Sequence, residues 1–522
     1  MLNWGEPRLN AGAHPILMPN GKSYTMTNNK PAKFIIHNSK FIIILIYLLM
    51  VAIVPPQHEY PINDDWIYAQ SARNLLHGVF VIPGWSQASQ LTHALWGAGF
   101  AALFGFSFTA LTWSTIVLAA IGSLTFYALL RRLDVGAGAA LLGALLLACN
   151  PILSHLNYSF MTETSFLTYT LLACYCYLRG LQDGRERWLW LGGAMTAAAL
   201  LDRQFGVMVA LAALLYLLLK GRLTWRRAFA VVLLPALALA GLLLWQAGQP
   251  PAEISVQTSA HVQEFFHNPL GVAWEHLSRA LIIMPVLGLF APLALRWRSR
   301  IFAAYAAMLT ATIIGWYVYS GTVSFDYSRS NIFDSGGFMP PVLHFFRVTM
   351  AGPLWLWLFL SLVAALLTAG LLTAATEATI EWWQNPSPQG GSADPSPFGG
   401  GWVGERAKAL EPVNFVYLAG LLVGLPSLLL TTNFMDRYLV PLIPFVILVA
   451  LRRPQFKNTI YPTLAIRRQG AIYRAPTIRL IFYLSAIIFY LAFSLIAQRD
   501  YFAYAQARWD AGQWVISQGV KY

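Results

Sequence analysis

Apolar residues run along this chain in unbroken blocks of Leu, Ala, Val and Ile from Phe41 to Ala497, separated by short polar or basic breaks. A helix needs about 20 residues to cross a bilayer core of roughly 30 Å. Only helices or closed barrels satisfy their own backbone hydrogen bonds in lipid, and continuous rather than alternating blocks select helices. The pattern predicts about thirteen spans, at 41–54, 108–130, 136–156, 164–179, 189–202, 205–219, 229–247, 280–295, 301–319, 351–375, 413–431, 438–451 and 479–497.

Composition supports a membrane solvent: 57% of the 522 residues are hydrophobic and 11% charged, against about 25% charged in soluble domains. The net charge of +13 raises the question of a nucleic-acid partner, and the placement of the basic residues answers it. Alternate loops hold 26 of the 35 Lys and Arg residues, the asymmetry of the positive-inside rule. It predicts a cytoplasmic N-terminus and an extracytoplasmic C-terminus. No basic loop is interleaved with aromatics in a folded domain, so a nucleic-acid surface is not expected.

The expected fold class is therefore all-α, a polytopic transmembrane helix bundle with amphipathic juxtamembrane helices in its first extracytoplasmic loop. The first forty residues lack a small-residue cleavage site, and the first span reads as a retained anchor. Cys149, Cys174 and Cys176 fall in apolar helices. The latter two point about 200° apart, so neither a shared metal nor a disulfide framework is expected.

The loops are unequal. Residues 55–107 form a long outer loop with two helical patterns, Asp65 to His77 and about Gln90 to Phe104, the second suited to the membrane interface. The block 189–219 is interrupted by Asp202-Arg203-Gln204, which predicts two short helices meeting at a tip. Residues 376–412 read as a flexible cytoplasmic linker, being rich in Pro, Gly and Ser over Glu381 to Ala407. It separates a catalytic module, 1–375, from further spans, 413–497, and an extracytoplasmic tail, 498–522, which resembles an amphipathic helix that ends abruptly.

Candidate chemistry gathers on the predicted outer side. Asp64 and Asp65 begin the first loop helix. Carboxylates there cap N-termini, and adjacent residues point about 100° apart, so at most one of them can face a reaction centre. Glu163 precedes the fourth span, where an ionisable group is costly. Arg203, at the tip, could bind a phosphate bidentately or snorkel to headgroups. Asp436-Arg437-Tyr438 again pairs an acid with a cation. His93, Asp326, Arg329 and Asp334 are outer-loop residues, either solvated or in contact with substrate. Acids beside arginines suit transfer from a phosphate leaving group, which needs cations for its charge and a carboxylate base for the attacking hydroxyl.

Asn63-Asp64-Asp65-Trp66-Ile67-Tyr68-Ala69 followed by Ala72-Arg73-Asn74-Leu75-Leu76 and Gly78 resembles the acidic first-loop motif of GT-C glycosyltransferases. Leu130-Arg131-Arg132-Leu133, Asn150-Pro151, Met161-Thr162-Glu163-Thr164, Arg203-Gln204 and Asp436-Arg437-Tyr438-Leu439-Val440-Pro441 follow in matching order. The resemblance is to protein O-mannosyltransferases and lipid A aminoarabinose transferases, over 40–230 and less fully over 410–450. It implies an inner-membrane enzyme that takes a sugar from a polyprenyl-phosphate carrier, with inversion. The implied catalytic residues are Asp64 as base and Glu163 as second acid. Arg203 and Arg437 would hold the phosphate, with Asp65, Arg73, His93 and Tyr438 as further substrate contacts. The resemblance leaves open the acceptor, whether protein, lipid or polysaccharide, and a divalent cation. Asp65 departs from the Glu frequent in relatives, and the Trp-Trp-Asp signature of oligosaccharyltransferases is missing; Trp382-Trp383-Gln384 lies in the linker. The competing reading, a transporter or flippase of a lipid-linked sugar, would place its ionisable residues at mid-membrane in repeated halves. No repeat is visible here.

Overall fold

The computed structural model describes residues 30–62, 64–81, 88–248, 299–320, 411–429, 436–451 and 475–519, with scattered positions between 263 and 276 and between 358 and 380. All regular structure among the described residues is helical. In chain order the helices are α1 Lys30–Ile53, α2 Asp65–Leu76, α3 Leu91–Phe104, α4 Phe108–Arg132, α5 Ala137–Ala148, α6 Pro151–Asn157, α7 Thr162–Asp183, α8 Glu186–Asp202, α9 Met208–Leu219, α10 Trp225–Ala247, α11 Arg300–Ser320, α12 Pro412–Leu429, α13 Ile443–Leu451 and α14 Ala475–Ser517. The chain is a multi-pass membrane protein. Four of the described helices are long and apolar enough to cross a bilayer, or five if the bent α5–α6 pair is one span. That is a coarser result than about thirteen. Residues 280–295, most of 351–375 and most of the linker fall outside the described residues.

Two predicted spans are also broken, and one predicted break is present. The span at 136–156 bends by 61° between α5 and α6. Pro151 opens α6, and the Asn150 side chain accepts from the Ile152 and Leu153 amides, a cap that starts a new helix instead of continuing the old one. The span at 438–451 begins as a 3₁₀ stretch, Asp436–Leu442, and becomes α-helical only at Ile443. Pro441 supplies no amide there. The predicted tip at Asp202-Arg203-Gln204 is present as an extended Arg203 and one 3₁₀ turn, Gln204–Val207.

α7 is the axis of the core. It packs against α4, α8 and α12, and most of its side chains are buried. Small residues let its neighbours approach, as is usual where lipid gives helices no hydrophobic reason to associate. Gly192 of α8 lies directly against the Tyr177 ring, and the Tyr177 hydroxyl donates to the Val231 carbonyl of α10 at 3.1 Å. At the C-terminal end of α7, Asp183 pairs with Arg132 at 2.7 Å and Arg179 at 3.3 Å. Glu163 sits at the other end, about 30 Å away at 1.5 Å per residue.

The end of α8 is held from α3. The last carbonyls of a helix have no partner within it, and here the start of α3 supplies donors. The Thr92 hydroxyl donates to Ala198 at 3.0 Å and that of Ser89 to Leu200 at 2.9 Å. The Gln90 amide donates to Asp202 at 2.9 Å, from a backbone held at φ 48°, a region that a non-glycine residue rarely occupies.

The tail differs from the expected separate amphipathic helix. α14 runs without a break for 43 residues, since neither Pro nor Gly falls between Pro476 and Gly512. It reaches the first loop, where the Tyr501 hydroxyl donates to the Ile62 carbonyl and that of Tyr60 to the Phe502 carbonyl, both at 2.9 Å. Lower down, Gln498 meets His155 at 3.0 Å. His58 lies beneath the Phe502 ring. Burial lowers its pKa, so it is neutral, donating from Nδ1 to the Tyr60 carbonyl and accepting at Nε2 from Thr112.

Two outcomes follow. A Cβ at Gly206 would fall on the backbone of Ala199 and Leu200, whereas one at Gly99 meets nothing. Gly206→Ala should therefore destabilise the purified protein by about 1–3 kcal/mol in detergent melts, and Gly99→Ala should not. Tyr501→Phe removes a hydrogen bond of roughly 1 kcal/mol, so peptides covering 54–64 should exchange amide hydrogens about fivefold faster.

Candidate active site

Four charged residues from four separate segments meet at one end of the bundle. Asp64 lies at the N-cap position of α2, but its side chain does not cap the helix. It accepts from Arg437 Nη1 at 3.0 Å instead. Glu163, in the first turn of α7, accepts from Arg203 Nη2 at 2.6 Å. Arg437 Nε stands 3.4 Å from the same Glu163 oxygen, close enough to pair but not aligned for a hydrogen bond. Arg203 Nε also donates to the Thr162 hydroxyl at 3.0 Å. The chain of charges thus runs Arg203, Glu163, Arg437, Asp64.

Burial differs sharply along it. The Glu163 side chain is 2% exposed, Arg437 8% and Arg203 12%, whereas Asp64 is 42% exposed. Burial opposes charge on either guanidinium, but Glu163 beside both more than offsets this. Arg203 is raised above the ordinary arginine value and Arg437 well above it. Both are permanent cations in a poorly solvated place. Arg437 still has an unfilled Nε donor, and its guanidinium carbon lies 5.7 Å from the centre of the Tyr438 ring. Tyr68, four residues after Asp64 on α2, feels all four charges, and burial, with Glu163 adding, pushes its hydroxyl up to about 12.

The remaining sequence candidates divide. Asp65 is fully buried and accepts from the Ile62 amide at 3.0 Å, which ties it to the loop ahead of α2. His93 is also buried. Its Nδ1 meets the Ser165 hydroxyl at 2.9 Å and its ring stacks on Phe160 at 3.9 Å. Burial lowers its pKa to about 3, which keeps it neutral. It supports the first turn of α7 and is not a solvated loop residue. Arg73 is exposed on α2, over the Phe106 ring. Tyr438 is buried beside Arg437. Asp326, Arg329 and Asp334 lie outside the described residues.

Sequence reasoning did not find Tyr68, Thr162, Gly206 or Tyr501. Tyr68 and Thr162 carried a signal, since Tyr68 lies one helical turn beyond Asp64 on the same face and Thr162 stands beside Glu163 in its motif. Among the described residues, no three His, Cys, Asp or Glu side chains converge to hold a metal. The arrangement offers two buried cations, a fixed counter-ion and one solvent-facing carboxylate, which is a set able to hold a phosphate and accept a proton.

Residues 91–245 match the family described as dolichyl-phosphate-mannose-protein mannosyltransferase. This stretch includes His93, Glu163 and Arg203 but not Asp64 or Arg437. YycA of Bacillus subtilis (strain 168), a candidate mannosyltransferase, is 28% identical over 184 residues, which are 34% of this chain. The match spans 26% of that relative's own length. Among solved structures, the Saccharomyces cerevisiae protein O-mannosyltransferase Pmt1–Pmt2 complex is 17% identical with a TM-score of 0.33, covering 42% of this chain and 33% of its own. ArnT of Cupriavidus metallidurans is 14% identical with a TM-score of 0.38, covering 90% and 79%. The Archaeoglobus fulgidus oligosaccharyltransferase is 14% identical with a TM-score of 0.47, covering 90% and 56%. The family match and the Bacillus relative agree with the loop motifs: the chain is similar to GT-C glycosyltransferases of the mannosyltransferase kind.

Proposed function

We propose that this protein transfers a sugar from a polyprenyl-phosphate carrier to an acceptor hydroxyl on the extracytoplasmic face of the inner membrane, with inversion at the anomeric carbon. The observation that carries this reading is the chain of charges from Arg203 to Asp64. Two buried guanidiniums share one buried carboxylate and so keep donors to spare, and next to them stands a carboxylate open to solvent. The donor class follows the family description, in which the sugar is borne by a dolichyl phosphate.

In this reading Arg203 and Arg437 hold the carrier phosphate, and Glu163 fixes both guanidiniums in place. Asp64 takes the proton of the acceptor hydroxyl as its oxygen attacks the anomeric carbon from the face opposite the phosphate. The phosphate leaves with the electron pair of the broken bond, its added charge facing the guanidiniums. Attack from the opposite face gives inversion. Asp65, Tyr438 and Tyr68 shape the pocket, and His93 and Arg73 act at a distance from the reacting atoms.

The side assignment rests on the basic loops. Arg131, Arg132, Arg179, Arg185 and Arg187 cluster at the end of α4, α7 and α8 opposite to Glu163, as the positive-inside rule expects of a cytoplasmic end. A transporter of lipid-linked sugars is disfavoured because the ionisable cluster sits at helix ends and not at the middle of spans.

The test is the lipid-linked sugar pool, extracted from cells carrying the wild type, a deletion, or a correctly inserted Asp64→Asn, and compared by mass spectrometry. A polyprenyl-phosphate sugar should accumulate to the same level in the deletion and in Asp64→Asn. An unchanged pool with wild-type phenotype would overturn the reading. In membranes, Arg203→Gln should lower transfer by about 100-fold or more, the scale for removing a preorganised group that stabilises developing charge. Asp64→Asn should lower it by at least about 100-fold, the low end for losing a general base.

A further inference from the structure

Asp64 and a lipid phosphate would compete for the same donor. The Arg437 side chain donates from Nη1 to Asp64 at 3.0 Å. Glu163 is fixed by burial and by its 2.6 Å bond to Arg203. Asp64, 42% exposed and free of any helix-capping bond, can leave without unmaking the fold. It is the exchangeable partner of the pair.

The charges decide what this exchange does. With both acids ionised, Arg203 and Arg437 are balanced by Glu163 and Asp64, and the cluster sums to zero. The donor is a phosphodiester with a single negative charge. During transfer the acceptor O–H proton moves to Asp64, the acceptor oxygen bonds to the anomeric carbon, and the bond from that carbon to the phosphate oxygen breaks with its electron pair on the phosphate. The product is a phosphomonoester, carrying roughly −1.5 to −2 at neutral pH. Asp64 loses its negative charge in the step in which the phosphate gains one, so Arg437 passes from one to the other without a net change around it. When Asp64 then gives its proton to water, a carboxylate again faces Arg437, now against a more highly charged ligand.

We infer that Asp64, beyond accepting a proton, discriminates the phosphodiester donor from the phosphomonoester product by competing for Arg437, and so drives product release. This rests on the reading of the site as a polyprenyl-phosphate sugar transferase.

The experiment is binding of three lipids to the full-length protein in detergent by titration calorimetry: a polyprenyl monophosphate, a polyprenyl methyl phosphodiester and neutral polyprenol. Wild type, Asp64→Asn, Asp64→Ser, Arg437→Gln and the Asp64→Asn/Arg437→Gln double variant are compared, each first checked for an unchanged melting profile. Asp64→Asn and Asp64→Ser should bind the monophosphate about three- to tenfold more tightly than wild type, the scale of a partly exposed ion pair removed. The gain for the methyl diester should be smaller and that for polyprenol nil. In the Arg437→Gln background the gain from Asp64→Asn should vanish, since Arg437 transmits it. Unchanged or weaker monophosphate binding in both Asp64 variants, with wild type still preferring the monophosphate to polyprenol, would overturn this inference and leave the transferase reading standing. Wild type binding the monophosphate no better than polyprenol would overturn the transferase reading and this inference with it.

Discussion

A buried carboxylate shared by two buried arginines is the interaction on which the rest of this structure depends. Removing a guanidinium from water costs several kcal/mol unless a counter-charge and hydrogen bonds replace the lost solvation. Glu163 provides that for Arg203 directly and for Arg437 at a slightly greater distance. The first turn of α7 must therefore lie between the α8–α9 break and the 3₁₀ stretch before α13, which fixes how three distant parts of the chain come together. The two cations gain from one anion, and neither is saturated by it. That surplus of donors is what the proposed phosphate-binding role draws on.

The helix breaks serve the same end. Asn150-Pro151 turns the chain sharply ahead of α7, the extended Arg203 ends α8, and Pro441 keeps the segment after Arg437 from starting as an α-helix. Each break exposes polar backbone that lipid would not satisfy, and each is answered locally. The α8 terminus shows how: its carbonyls are met by Thr92 of α3 and by Ser89 and Gln90 just before it. The first-loop helices are thus structural parts of the site as well as its border. The irregular backbone at the α8 terminus is met by protein donors, as such backbone must be where lipid would otherwise surround it.

Much of this could be read from the sequence. The helical class, both first-loop helices and the interruption at Arg203 follow from runs of apolar residues and their punctuation, which are local properties. That Asp64, Glu163, Arg203 and Arg437 gather at one end was legible because charges are scarce in an apolar chain and each followed a span boundary. What stayed hidden depends on tertiary contacts. Whether Asp64 caps α2 or reaches out cannot be told from its place before a helix; Arg437, 373 residues away, decides it. His93 reads from the sequence as a solvated or substrate-contacting loop residue and Asp65 as a helix cap or substrate contact, yet both are covered by neighbours that no local pattern announces. Arg73 sits in the motif-like stretch but points to Phe106. The expected span at 438–451 ignored how Pro441 shortens its α-helical part to nine residues.

The unbroken length of α14 carries a consequence for the lipid itself. Forty-three residues make a rod of about 64 Å, roughly twice the hydrocarbon thickness. The contacts of Tyr501 and Phe502 with the acid-bearing loop sit at one fixed height on that rod. A helix without a hinge answers a thicker or thinner bilayer by tilting or sliding, and either motion would shift those contacts relative to α2. Bilayer thickness would then act as a vertical gauge for the position of Asp64, so that acyl-chain length becomes a physical variable of the site.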